Sequence, residues 1–119
     1  MDFSLSAEQQ ALIDTTQKFA HAELPALAKE TEKTNTPPPR SLLKSYAELG
    51  LMGVNLPAKY GGGEMSHLDA VLVLEELAKI SCAVAFPVFE SSFGPALAIA
   101  HFAPEEMRAR ILPKICSGD

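Results

Sequence analysis

Tryptophan is absent from this sequence, and only two residues are tyrosine and two cysteine. Cys82 and Cys116 form no Cys-x-x-Cys pair, so neither a zinc-knuckle spacing nor a disulfide framework is present, and a reducing compartment suits the chain. Positive charge is also short. Ten Lys and Arg stand against fifteen Asp and Glu, a net charge of −5, whereas a phosphate backbone demands clustered cations. No nucleic-acid partner is expected. The N-terminus, Met1-Asp2-Phe3-Ser4, has an acid where a signal or transit peptide carries Lys or Arg, and no apolar core follows it. The expected location is cytoplasmic. What remains is ordinary globular material: 119 residues, 47% hydrophobic and 21% charged, enough for a single folded domain over 1–119.

The motifs of common chemistries are missing too. His21, His67 and His101 share no helix turn with a second ligand type, so no metal site is expected. There is no G-x-S-x-G, P-loop or G-x-G-x-x-G; Gly61-Gly62-Gly63 runs into Glu64 without the Lys-Ser/Thr or the preceding strand of a phosphate cradle. The glycines read as conformational. Glu75-Glu76 and Glu105-Glu106 are neighbours on helices, about 100° apart around the axis, so neither pair can converge on one substrate atom. Both pairs read as solvated faces, and no catalytic or cofactor-binding residue is assigned.

Helical signals fill most of the chain. Ser6 and Gln9 form an S-x-x-Q start, and Ala11, Leu12, Thr16, Phe19 and Ala20 give one apolar stripe as far as His21. A further stretch through Leu24, Leu27 and Ala28 either continues that helix or restarts at Pro25. Thr31 to Pro39 reads as loop, because the periodicity stops and Pro37-Pro38-Pro39 lacks N–H donors. Ser41 to Leu49 predicts a short helix with Leu42, Leu43, Tyr46 and Leu49 inward and Gly50 closing it in the left-handed conformation. Leu51 to Gly63 is irregular. Ser66 caps a helix to Ile80 that is apolar nearly all round, with Glu75 and Lys79 as an i,i+4 pair.

The run Cys82 to Phe102 carries one charge, Glu90. It barely reaches the roughly 20 residues that a bilayer requires, and Pro87, Gly94 and Pro95 interrupt it, so two short buried helices are expected rather than a span. Pro104-Glu105-Glu106 opens a last helix with Met107, Ile111 and Ile115 inward and Glu106/Arg110 paired outside, which Pro113 kinks or ends. No strand or repeat is evident, and the class is all-α, an up-and-down orthogonal bundle of about five or six helices.

One constellation stands out within that run. Phe86, Phe89 and Phe93 lie at i, i+3 and i+7, with Glu90 on their flank and Ser91, Ser92 and Gly94 alongside. Spacing alone favours a core stripe. The alternative is the wall of an apolar ligand cavity, shaped by rings and oriented by one polar group.

The order of segments resembles the acyl-CoA dehydrogenases, specifically their N-terminal helical domain. The segments are Phe3-Ser4-Leu5-Ser6-Ala7-Glu8-Gln9, Glu48-Leu49-Gly50-Leu51-Met52-Gly53-Val54 and Pro57-Ala58-Lys59-Tyr60-Gly61-Gly62-Gly63. Leu72-Val73-Leu74-Glu75-Glu76-Leu77-Ala78, Ser92-Phe93-Gly94 and Ile111-Leu112-Pro113-Lys114-Ile115-Cys116-Ser117-Gly118-Asp119 follow. The resemblance implies a domain of a flavoenzyme that takes hydrogens from Cα and Cβ of an acyl-CoA thioester. It also implies that FAD, the base and most of the cofactor site belong to a β-domain and a C-terminal helical domain absent from 1–119, so this chain alone should bind no FAD and show no activity. The whole enzyme would be a homodimer or homotetramer using acyl-CoA and an electron-transfer acceptor; exposed Leu or Met on the face that packs on the β-domain would favour self-association of the lone chain.

By the same resemblance Phe86, Phe89, Glu90, Phe93 and Gly94 form a substrate pocket beside the acyl tail, which implies a short, branched or polar acyl group. Three departures are visible. Glu90 replaces a His, Asn or small residue, Ala103-Pro104 replaces Gly-Ser/Thr, and Glu64 stands at a glycine-like position. The matching domain of a related flavin oxidase or monooxygenase, or a free-standing helical interaction module, are the alternatives.

Overall fold

The computed structural model describes residues 1–119 and contains six α-helices and one 3₁₀ turn. The first helix, α1 (Ala7–Thr34), starts on a capping box in which the Ser6 hydroxyl accepts from the Gln9 N–H at 3.1 Å and the Gln9 carboxamide accepts from the Ser6 N–H at 3.0 Å. Pro25 lies inside it and neither ends nor restarts it. Pro25 is on the exposed side while Leu24 beside it is fully buried, so packing outweighs the missing donor. The expected loop therefore begins four residues late. Thr31 is buried, and its carbonyl accepts from the Asn35 N–H, where the chain turns left-handed. Of the anticipated stripe Ala11 is exposed, and Ile13, Thr16, Ala20 and Leu24 form the buried face.

The second helix, α2 (Arg40–Glu48), buries Leu42 and Tyr46. Gly50 takes a positive φ of 73° as expected, and the turn it makes leaves Leu49 exposed rather than inward. The irregular segment that follows lies inside the protein: Leu51, Met52, Val54 and Leu56 are all buried. Its backbone polar groups must find partners there. Gly63, Glu64 and Met65 donate to the carbonyls of Gly53, Leu56 and Val54 at 2.9 to 3.0 Å, folding the segment back on itself around the 3₁₀ turn Ala58–Tyr60. That return explains the glycines. A Cβ on Gly62 would sit 2.2 Å from the Leu56 carbonyl oxygen, and one on Gly63 2.6 Å from that of Val54. Glu64 has φ 53°, the left-handed conformation its glycine-like position anticipates.

The third helix, α3 (His67–Ala78), has a second capping box through Ser66 and Asp69. It packs between α1 and the fourth helix, α4 (Cys82–Ser92), leaving Leu68 and Val71 on the open side. Two charged residues behave otherwise than expected. Glu76 is buried, accepting from Gln17 of α1 at 2.9 Å, and Lys79 pairs with Glu76 at 2.6 Å rather than with Glu75. The cause is tertiary: α1 packs on this side of α3 and brings the Gln17 amide to the Glu76 carboxylate.

The apolar run 82–102 meets the length and composition of a membrane span, but it breaks at Phe93-Gly94 into α4 and the fifth helix, α5 (Pro95–Phe102). Of α5 only Ala96 is buried. The sixth helix, α6 (Glu105–Ser117), starts from Pro104 without a side-chain cap and continues through Pro113. Its buried residues are Leu112 and Cys116, with Ile115 half-buried; Met107 is exposed and Ile111 only half-buried. The helix packs on α2 and the 3₁₀ turn with a face rotated by about 100° from the predicted stripe. Its ion pair is Arg108 with Glu105 at 3.3 Å, not Glu106 with Arg110.

Candidate functional site

Phe86 and Phe89 project from α4 on the side opposite its buried residues Val84, Ala85, Val88, Ser91 and Ser92. A helix presents i, i+3 and i+7 on one face, and the rings stack along it with centroids 5.6 Å apart for Phe86–Phe89 and 6.2 Å for Phe89–Phe93. This face is not core. Phe86 is 54% exposed and Phe89 38%, while Phe93 is half-buried against the main core. The core stripe that spacing favours does not form: α3 and α1 occupy the other side of α4, the Phe86 and Phe89 rings stay exposed, and only Phe93 packs in part on the core.

Glu90 lies on the exposed flank of the ridge and also borders a cleft of about 250 Å³ lined by Leu43, Met52, Pro87, Ser91, Pro95, Ala96 and Ile115. Gly94 caps α5, and a Cβ there would make only ordinary contacts of 3.6 Å or more. Ser91 and Ser92 do not lie beside the ridge. Ser91 is buried, donating to the Val88 carbonyl at 2.9 Å and accepting the Gly53 N–H at 3.1 Å, and so ties the buried loop to α4.

Two residues beside the ridge have no signal in the sequence spacing. The His67 ring, at the start of α3, meets Phe93 edge-on with centroids 6.4 Å apart, and Asn55 from the buried loop reaches both His67 and the Ser92 carbonyl. They come from separate segments, so no local pattern joins them to Phe93.

At the far side of α6, Tyr60 donates to the Glu105 carboxylate at 2.8 and 2.9 Å, with Lys59 and Arg108 at 3.4 and 3.3 Å. The Tyr60 hydroxyl, helped by both cations, holds the Glu105 carboxyl below its ordinary range. This cluster fastens the glycine loop to α6. It uses every carboxylate oxygen and offers a ligand none.

The sequence matches the family described as acyl-CoA dehydrogenase, N-terminal domain, over residues 6–119. The chain belongs to this family. It is 30% identical over 118 residues to the acryloyl-CoA reductase (NADH) of Anaerotignum propionicum, covering 99% of this chain and 29% of that protein. It is 32% identical over 116 residues to the mitochondrial isovaleryl-CoA dehydrogenase of Pongo abelii, covering 97% and 27%. Its fold matches the glutaryl-CoA dehydrogenase of Mycobacterium smegmatis in complex with FADH2, with a TM-score of 0.88 at 22% identity, over 97% of this chain and 29% of that one. This acyl-CoA dehydrogenase domain therefore spans less than a third of the length of such relatives, and members of the family hold a flavin.

The cleft beside α4 does not by its lining fit a flavin dinucleotide. It has Glu90 and Asp119 at its rim and no Lys or Arg in its lining to meet a diphosphate. No chemical step is assigned through the cofactor.

Proposed function

We propose that this chain works as the N-terminal domain of an FAD-dependent acyl-CoA dehydrogenase, where α4 forms one wall of the acyl-chain pocket. Phe86, Phe89 and Phe93 supply the apolar surface, Glu90 a polar rim and Gly94 the bend at its end. One observation carries this reading: the chain leaves two aromatic rings, Phe86 and Phe89, exposed on a helix face and a third, Phe93, only half-buried at its end, although burying such rings is among the most favourable uses of apolar area. A ridge of this kind gains its stabilisation from something laid against it. FAD, the catalytic base and the electron-transfer acceptor would be handled by the remaining two-thirds of a relative's length, and the 119-residue chain alone is inactive. Rings stacked side by side leave room for a short, branched or ring-bearing acyl group rather than a long straight one.

The reading is tested by the visible spectrum and dye reduction of the purified 119-residue chain. It should be colourless and leave an electron-accepting dye oxidised when acyl-CoA is added. A flavin band with dye reduction would contradict it.

A further inference from the structure

Asn55 makes two hydrogen bonds through one nitrogen. Its Nδ2 lies 2.9 Å from the Ser92 carbonyl oxygen and 2.8 Å from His67 Nδ1. A carbonyl oxygen can only accept, so the amide orientation is fixed: turning it over would set two oxygens 2.9 Å apart. The same nitrogen is then a donor toward His67, and Nδ1 must be the unprotonated nitrogen of the ring. Asn55 Oδ1 is buried without a partner, which shows that both bonds on the nitrogen side are kept at the expense of the oxygen. The bond to Ser92 also has a use of its own. That carbonyl is one of the orphan acceptors at the C-terminal end of α4, immediately before the Phe93-Gly94 break.

With Nδ1 occupied as an acceptor, a neutral His67 carries its proton on Nε2. The ring is exposed, touches the last phenylalanine of the ridge edge-on, and has no protein partner at Nε2 among its hydrogen bonds. We propose that Asn55 is a positioning residue: it locks His67 as the Nε2–H tautomer, and His67 thereby presents a hydrogen-bond donor at the Phe93 end of the ridge to a hydroxyl or carbonyl oxygen on the ligand's acyl group. A carboxylate is disfavoured at this place, because Glu90 occupies the exposed flank of the same helix and the chain is acidic overall. The ligand part of this inference rests on the acyl-pocket function proposed above; the tautomer part does not.

The two parts have separate tests. In nitrogen NMR of the 119-residue chain at about pH 8, the neutral His67 ring should show a protonated Nε2 and an acceptor Nδ1, a preference that Asn55→Leu removes. A protonated Nδ1 in the unaltered chain overturns the inference. In the flavin-loaded enzyme carrying this domain, the ratio of kcat/KM for a hydroxyacyl thioester to that for the acyl thioester of equal length should fall about five- to tenfold in His67→Phe. His67→Gln, whose amide nitrogen falls where Nε2 was, should restore it. A ratio that does not move in His67→Phe overturns the ligand assignment. The Nε2–H tautomer found together with no acyl-CoA turnover in any variant contradicts the proposed function and leaves the positioning role of Asn55 standing.

Discussion

Gly62 shows how a single missing atom organises this fold. It has no positive φ, so its value lies in close approach alone: the Leu56 backbone oxygen and carbon lie 2.2 and 2.5 Å from where a Cβ would stand. Backbone cannot swing aside as a side chain can, so Gly62→Ala should cost about 2 to 3 kcal/mol in chemical denaturation. Loss of less than about 0.5 kcal/mol would mean that the loop opens freely. Gly50 and the glycine run are legible in the sequence because turn chemistry is local. Glu76 is not. Its burial depends on Gln17, a residue of another helix, and nothing near Glu76 distinguishes it from the exposed Glu75. Burial opposes its ionisation, but the bonds from Lys79 and Gln17 prevail and hold its carboxyl below the ordinary range.

Among the elements, the starts of α1 and α3 are one unit. Asp69 accepts from the Ser66 N–H at 2.8 Å and the Ser66 hydroxyl at 2.7 Å, and its other oxygen accepts from Gln9, itself half of the α1 capping box, at 2.9 Å. The Ser66 hydroxyl bond, then those from Gln9 and the Ser66 N–H, hold the Asp69 carboxyl below its usual range against the effect of burial. A carboxyl depressed in the folded state contributes stability above the unfolded value of about 3.9 and loses it as pH falls through the folded one. Asp69→Asn should therefore cost about 1 to 2 kcal/mol at pH 7, and the gap from the unaltered chain should close below about pH 4. A gap that stays constant with pH would show that the charge plays no part. Both caps are visible in the sequence as S-x-x-Q and S-x-x-D, but the bond joining them crosses sixty residues and has no sequence signature. The same limit explains α6. Periodicity points its stripe to Met107, Ile111 and Ile115, whereas its inward face is chosen by the neighbours at Leu112 and Cys116.

The whole molecule is a slab, 40 × 40 × 22 Å, with all its buried apolar residues but Ile13 in two clusters. The larger joins α1 to α4 with the irregular loop; the smaller, of Leu56, Tyr60, Ala96, Leu112 and Cys116, holds α5 and α6 to the 3₁₀ turn. A slab this thin leaves one broad side of α4 without cover. The all-α class and helix order were legible because six amphipathic or apolar segments need nothing beyond periodicity and caps. Which face of α4 meets water was not, since Phe86, Phe89 and Phe93 have the spacing of a core stripe and only the arrangement of α1, α3 and α4 decides it.

That arrangement has a consequence for stability. Phe86→Ser and Phe89→Ser should each change the unfolding free energy of the chain by less than about 1 kcal/mol, against the 3 to 5 kcal/mol typical of truncating a core phenylalanine. A core-sized loss in either variant would place the rings among the residues that hold this chain together.

The most direct test of the acyl-wall role is the chain-length profile of the flavin-loaded enzyme carrying this domain, measured as kcat/KM across a series of straight-chain acyl-CoA thioesters for Phe89 and for Phe89→Ala. Removing the ring should move the optimum to longer chains; an unshifted profile would contradict the placement of α4 beside the acyl tail.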